Sequence, residues 1–206
     1  MFALLDLYAQ PYDERYPQVN FDEKSKELHD EVKQPQPTRS GKVARQDYEY
    51  KRCGTRNLFL FVEPKAGKRH VLITRRRTKL DFAYAMRYLV DVLYPDAKWI
   101  EVVLDNLDTH AEETLIEIFG KPEADRILKH LRFHFTPAHA SWLNMAEIEI
   151  GVMEAQCLDR RIACEFDLYR QVIAWETSRN DQNATIQWTF TRQKARKKFG
   201  KHRSYL

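Results

Sequence analysis

The run Lys98-Trp99-Ile100-Glu101-Val102-Val103-Leu104-Asp105-Asn106 constrains this chain more than any other stretch. An apolar, β-branched segment bounded by charge reads as a buried strand, and it delivers Asp105 and Asn106 at its carboxyl end. In α/β proteins that end of a strand borders the ligand crevice. Upstream, Gln18-Val19-Asn20-Phe21 reads as a second short strand ending in an acid, Asp22. Downstream, Ser141-Trp142-Leu143-Asn144-Met145-Ala146-Glu147 sets an acid at the start of a helix. The expectation is that Asp22, Asp105 and Glu147, distant in sequence, converge on divalent metal.

Between these points the patterning alternates. Residues 1–17 open with an apolar turn or two of helix and break at Pro11 and Pro17. Residues 32–47 carry Pro35, Pro37, Gly41 and charge, the composition of a loop. Tyr48–Cys53, Leu58–Glu63 and His70–Thr74 read as three strands, the first two parted by Gly54. Helical spacing then predicts a helix over 78–94, ending before Pro95. Thr109 with Glu112 forms a capping-box pattern for the next helix, Pro122 fits the first turn of another, and Arg132–Phe135 is a short strand. Helices over 143–158 and 166–179 complete the chain before a basic tail. Strands in a meander followed by alternating helix and strand make an α/β fold, a mixed sheet flanked by helices. With 206 residues and 43% apolar composition, one core is expected. The organisation read from this is a lead-in helix (1–17), one α/β domain (18–182, with the basic loop 32–47 inside it) and a basic tail (183–206).

Charge is uneven. Lys33 through Lys79 holds 14 basic residues and three acids, a net of +11, so the remainder of a chain whose net charge is +4 sums to −7. After Asp181 no acid follows, while Arg192, Lys194, Arg196, Lys197, Lys198, Lys201 and Arg203 do. Two basic blocks suggest a polyanion partner, since lysine and arginine gain affinity by displacing counterions from phosphates; a solvated surface is the plainer explanation. No apolar run reaches bilayer length and no leader pattern opens the chain, which reads as cytosolic. Cys53, Cys157 and Cys164 are odd in number and form no CxxC pair, so they read as buried free thiols.

Phosphodiester cleavage by two metal ions needs a few carboxylates around divalent ions about 4 Å apart, and magnesium takes oxygen ligands and few protein carboxylates. Each acid also has a structural explanation. Asp22 could end a strand, with Glu23 an equal candidate beside it; Asp105 could start a turn. Glu147 could be the N3 partner of an Asn144 cap. On a helical wheel Glu147 shares its face with Gly151 and Glu154, while Glu149 points almost oppositely, so Glu147 is the third ligand and Glu154 the reserve. His110, His134 and His139 match no zinc spacing; His110 reads as a capping or supporting residue, the others as loop or phosphate contacts. Trp142 reads as core.

Four strings carry a resemblance: Phe21-Asp22-Glu23-Lys24, Asp47 through Asn57, Leu104-Asp105-Asn106-Leu107-Asp108-Thr109-His110, and Ser141 through Glu147. Together they resemble the catalytic domain of bacterial insertion-sequence transposases of family 630, within the mariner superfamily, over about residues 2–192. The resemblance implies a ribonuclease H-like fold and an Asp-Asp-Glu triad of Asp22, Asp105 and Glu147 holding two Mg2+ or Mn2+ ions. It further implies metal-dependent cleavage and strand transfer at insertion-sequence ends, in a bacterial cytoplasm and on the nucleoid. Transposon-end and target DNA are then the partners, with Arg45, Lys51, Arg52, Arg56, Arg75, Arg76 and Arg77 as candidate DNA contacts. The resemblance implies the cutting-and-joining half alone, without the N-terminal helix-turn-helix region of full-length relatives, and a separate helix-turn-helix polypeptide is an expected partner; a homodimer is another. The alternatives are a catalytically silent DNA-binding remnant and a host nuclease of the same fold.

Overall fold

The computed structural model describes residues 1–45, 47–107 and 110–199. Its centre is a five-stranded mixed sheet in the order β3-β2-β1-β4-β5, formed by β1 (Gln18–Glu31), β2 (Tyr50–Glu63), β3 (Lys68–Thr74), β4 (Ile100–Leu104) and β5 (Leu131–Phe135). The first three pair antiparallel, while β4 runs parallel to β1 and to β5. Parallel neighbours need crossovers, supplied here by α2 (Lys79–Tyr88), α3 (Glu112–Phe119) and α4 (Lys121–Leu128). The other helices described are α1 (Phe2–Ala9), α5 (Met145–Met153), α6 (Glu165–Asp181) and α7 (Arg192–Phe199). The fold is ribonuclease H-like.

Side-chain alternation along β2 divides the core. Phe59 and Phe61 pack with Phe21, Val102 and Leu104 beneath α2, α3 and α4; Leu58, Leu60 and Val62 pack on the other face beneath α5 and α6. A strand covered on both faces must be apolar at every position, so this stretch reads as a run. A third cluster joins α1, Leu143, Met145, Val103 and Ala195 of α7.

Several sequence expectations need correction. β1 does not stop at Asp22 but continues to Glu31, because its second half is held by the long hairpin partner β2 even where its side chains are polar. β2 passes unbroken through Gly54, whose φ of 99° is absorbed within the strand. Thr109 lies outside the described residues, and α3 begins at Glu112 with Ala111 before it, so Glu112 is not at a capping-box N3 position. The tail contains a helix, α7, anchored by buried Ala195. Trp142 is 40% exposed instead of core.

Candidate active site

Register brings the two aspartates level. Asn20 of β1 is opposite Val103 of β4 in the parallel pair, and Asp22 and Asp105 each lie two residues further along. Asp22, within β1, therefore lies level with Asp105, just past the end of β4, on the same side by the two-residue alternation.

α5 brings the third acid. The Asn144 side chain accepts from Ala146 N–H at 3.1 Å, capping the helix, while its amide donates to Phe21 O at 2.9 Å. Met145 N–H donates to Asn20 Oδ1 at 3.1 Å. That oxygen also accepts from Tyr8 Oη at 2.9 Å, and the same hydroxyl lies 2.7 Å from Leu143 O. The start of α5 is thus pinned to β1 immediately before Asp22. The reciprocal half of a capping box is absent, since Asn144 N–H donates to Ser141 O at 2.7 Å. Glu147 stays exposed on the first turn.

Glu149 occupies the opposite face of α5. It is buried between Arg69, at 2.8 Å, and Arg179, at 2.9 Å. Burial would raise its carboxyl pKa, but the two guanidinium groups outweigh this and hold it below the usual range. This pairing fixes the rotation of α5 against β3 and α6. Glu154, the reserve ligand, pairs with Lys24 at 3.3 Å.

The acids sense one another. Asp22 is pushed up to about 6, chiefly by burial; the Glu23 N–H lowers it, and the negative charges of Asp105, Glu147 and Glu23 raise it further. His110 is buried between two carboxylates, with Nδ1 2.7 Å from Asp105 Oδ1 and Nε2 3.0 Å from Glu23 Oε1. Burial works against its charge, yet these carboxylates push its pKa up to about 9, so it is imidazolium at neutral pH. Its ring stacks on Phe82 with centroids 4.7 Å apart. Sequence reasoning gave His110 a supporting role but missed Glu23 as its second partner. The signal available was only that Glu23 follows Asp22.

Among the described residues no three His, Cys, Asp or Glu side chains stand close enough to hold one ion as placed. The donor chemistry nonetheless fits a hard divalent cation: all three acids offer oxygen, and Asp22 is held hard to ionise chiefly by burial and further by the like charges of Asp105, Glu147 and Glu23 beside it. His134 pairs with Glu101 at 2.5 Å, and His139 is exposed in a loop at φ 59°.

Of the candidate DNA contacts, Arg45, Lys51, Arg52, Arg75, Arg76 and Arg77 are exposed. Arg56 is turned into an ion pair with Glu165 at 2.7 Å. Arg77 reaches within 3.7 Å of Glu23, beside the acids.

A mixed sheet with acids on two neighbouring strands and a facing helix defines a ribonuclease H-like scaffold. Residues 17–168 match the family model of the DDE superfamily endonucleases. The chain belongs to that family. Its structure is similar to that of the Mos1 mariner paired-end complex with Mn, with a TM-score of 0.58 at 14% identity over 88% of this chain and 54% of the other. The pre-cleavage Mos1 transpososome gives a TM-score of 0.58 at 13% identity, with the same coverage. The Mos1 strand transfer complex gives 0.55 at 13% identity, over 88% of this chain and 53% of the other. The chain thus spans about half the length of these solved chains. No curated protein matches it in sequence. No helix among the described residues is long and apolar enough to cross a membrane.

Proposed function

We propose that this chain is the catalytic domain of a DNA transposase of insertion-sequence family 630, cutting DNA at element ends and joining the freed 3′-hydroxyl to target DNA on the bacterial nucleoid. Asp22, Asp105 and Glu147 hold the divalent ions, two in number. The observation that supports this reading is geometric: the β1–β4 register sets Asp22 level with Asp105, and Asn144 ties the first turn of α5, which carries Glu147, to Phe21 beside Asp22, a grouping of carboxylates that a cation would stabilise. Bound divalent ions supply Lewis acidity for the attacking hydroxyl and charge compensation for the leaving oxygen.

The chain's own residues prepare that site. Asp22, ionised above about pH 6, would offer its carboxylate to the ions. His110 holds Asp105 in place and offsets the negative charge of Glu23, while Asn144 fixes the helix bearing Glu147 against the strand bearing Asp22. The exposed arginines and lysines from Arg45 to Arg77 take the phosphate backbone, with Arg77 nearest the acids.

The test is joining. Incubated with Mg2+ or Mn2+, a labelled oligonucleotide ending in the element's 3′-hydroxyl should become covalently linked to plasmid DNA. Nicking without joining points instead to a nuclease of the same fold.

A further inference from the structure

The basic tail folds as α7, outside the 17–168 segment that matches the endonuclease family. Its sequence, Arg192-Gln193-Lys194-Ala195-Arg196-Lys197-Lys198-Phe199, carries five cations and no acid. At about 100° per residue, Ala195, Phe199, Arg192 and Arg196 share one side. That side is docked: Ala195 is fully buried, Arg192 and Arg196 lie over the Phe2 ring at 4.8 and 5.7 Å, and Arg192 also pairs with Asp6. Lys194, Lys197 and Lys198 share the opposite arc, of about 100°, and all three are exposed. Among the described residues none of the three has a carboxylate partner.

An aromatic platform adjoins them. Trp142 stacks on Trp188, with centroids 6.3 Å apart and planes 15° from parallel. It is flanked by Phe190 at 5.4 Å and Phe199 at 6.3 Å, and Lys198 Nζ lies 5.5 Å over the Phe199 ring. Despite these neighbours Trp142 remains 40% exposed. It also stands only five residues before Glu147, within about 17 Å along the chain, or roughly five base pairs of DNA.

We propose that α7 and Trp142 form a DNA-binding surface beside the catalytic acids. The three outward lysines neutralise phosphates, and the Trp142 face stacks on a base unpaired near the reacting strand end. Nucleic acid is the occupant this combination fits: clustered lysines without acids match a phosphate chain, and a rigid exposed indole matches a base face, which is sequence-tolerant. The inference rests on the reading of the site as a DNA-cutting centre and extends the contact surface to residues outside the segment from Arg45 to Arg77.

Fluorescence anisotropy in EDTA tests binding without chemistry, using the whole chain and two labelled duplexes, one blunt and one with a short single-stranded overhang. For Lys194→Ala/Lys197→Ala/Lys198→Ala, affinity for both duplexes should fall by about tenfold or more near 0.1 M salt, and the slope of log K against log salt should shrink by about 2 to 3. Trp142→Ala should lose about tenfold on the overhang duplex alone, and Trp142→Phe should restore most of it. Thermal melts confirm that each variant is folded. Unchanged affinities and slopes in folded variants overturn the surface. Plasmid nicking with Mn2+ keeps the two ideas apart. A wild-type chain that binds through α7 but never nicks removes the proposed activity and leaves the surface standing. A chain that nicks normally while the lysine variant binds as well as wild type does the reverse.

Discussion

The side-chain amide of Asn144 donates to the backbone carbonyl of Phe21 across 2.9 Å, joining the residue before Asp22 to the residue three before Glu147. Asn144→Ala removes both this bond and the helix cap. Together they should cost about 2 kcal/mol, a fall in Tm of about 4–8 °C for a chain of this size. Asn144→Asp keeps the cap and loses the amide donor, so its melting temperature should fall between the two.

His110 is the counter-charge for Asp105 and Glu23. His110→Leu removes that counter-charge, leaving the buried Glu23 with only the more distant Arg77 at 3.7 Å, and should destabilise by about 3 kcal/mol in urea unfolding at pH 7. The double variant with Glu23→Leu should recover part of that, with a coupling energy above about 1 kcal/mol. The sign of the pH dependence follows from a folded pKa of about 9 against an ordinary 6.5. The stabilisation is fully present below pH 6.5 and is lost as pH rises through about 9, so the difference between wild type and His110→Leu should narrow on going from pH 7 to pH 10.

Two glutamates two residues apart should behave oppositely. Glu149→Gln breaks a buried pair with Arg69 and Arg179 and should cost about 3–5 kcal/mol. Glu147→Gln changes an exposed side chain and should leave stability within about 0.5 kcal/mol while abolishing nicking. Because the folded Glu149 pKa is depressed, its contribution is present above the ordinary carboxylate range and is lost as pH falls through the folded value. Acid unfolding monitored by circular dichroism should therefore differ between wild type and Glu149→Gln, with the gap closing at low pH.

Asp22 sets a further pH dependence. With its pKa near 6, Asp22 holds a proton below about pH 6 that a cation must displace. Its own contribution to stability is present at low pH and is lost as pH rises through about 6. The thermal stabilisation given by Mg2+ or Mn2+ should accordingly be small at pH 5 and grow through pH 6 toward pH 7.5. Asp22→Asn should remove that rise.

Much of the fold was legible because its signals are local. The β4 run, the helical spacing over 78–94, Pro122 in the first turn of α4 and the capping residue Asn144 all act within a few neighbours. What escaped was set by distant partners. The polar half of β1, from Glu23 to Glu31, carries no strand pattern of its own and is extended because β2 lies against it. Helical periodicity indicated that Glu149 faces away from Glu147, but not that Arg69 and Arg179 wait there. The second partner of His110, Glu23, is 87 residues away, and α7 is hidden in a tail whose composition favours solvent. Trp142 read as core because an indole between serine and leucine gives no hint that one of its faces stays open.

The central claim is that Asp22, Asp105 and Glu147 act as one metal-holding group on DNA. Its most direct test is the rate of supercoiled-plasmid nicking in Mn2+ by wild type and by folded Asp105→Ala. Wild type should nick, and the variant should fall by about a thousandfold or more, corresponding to at least ~4 kcal/mol of transition-state stabilisation. Equal rates for the two proteins would contradict the claim.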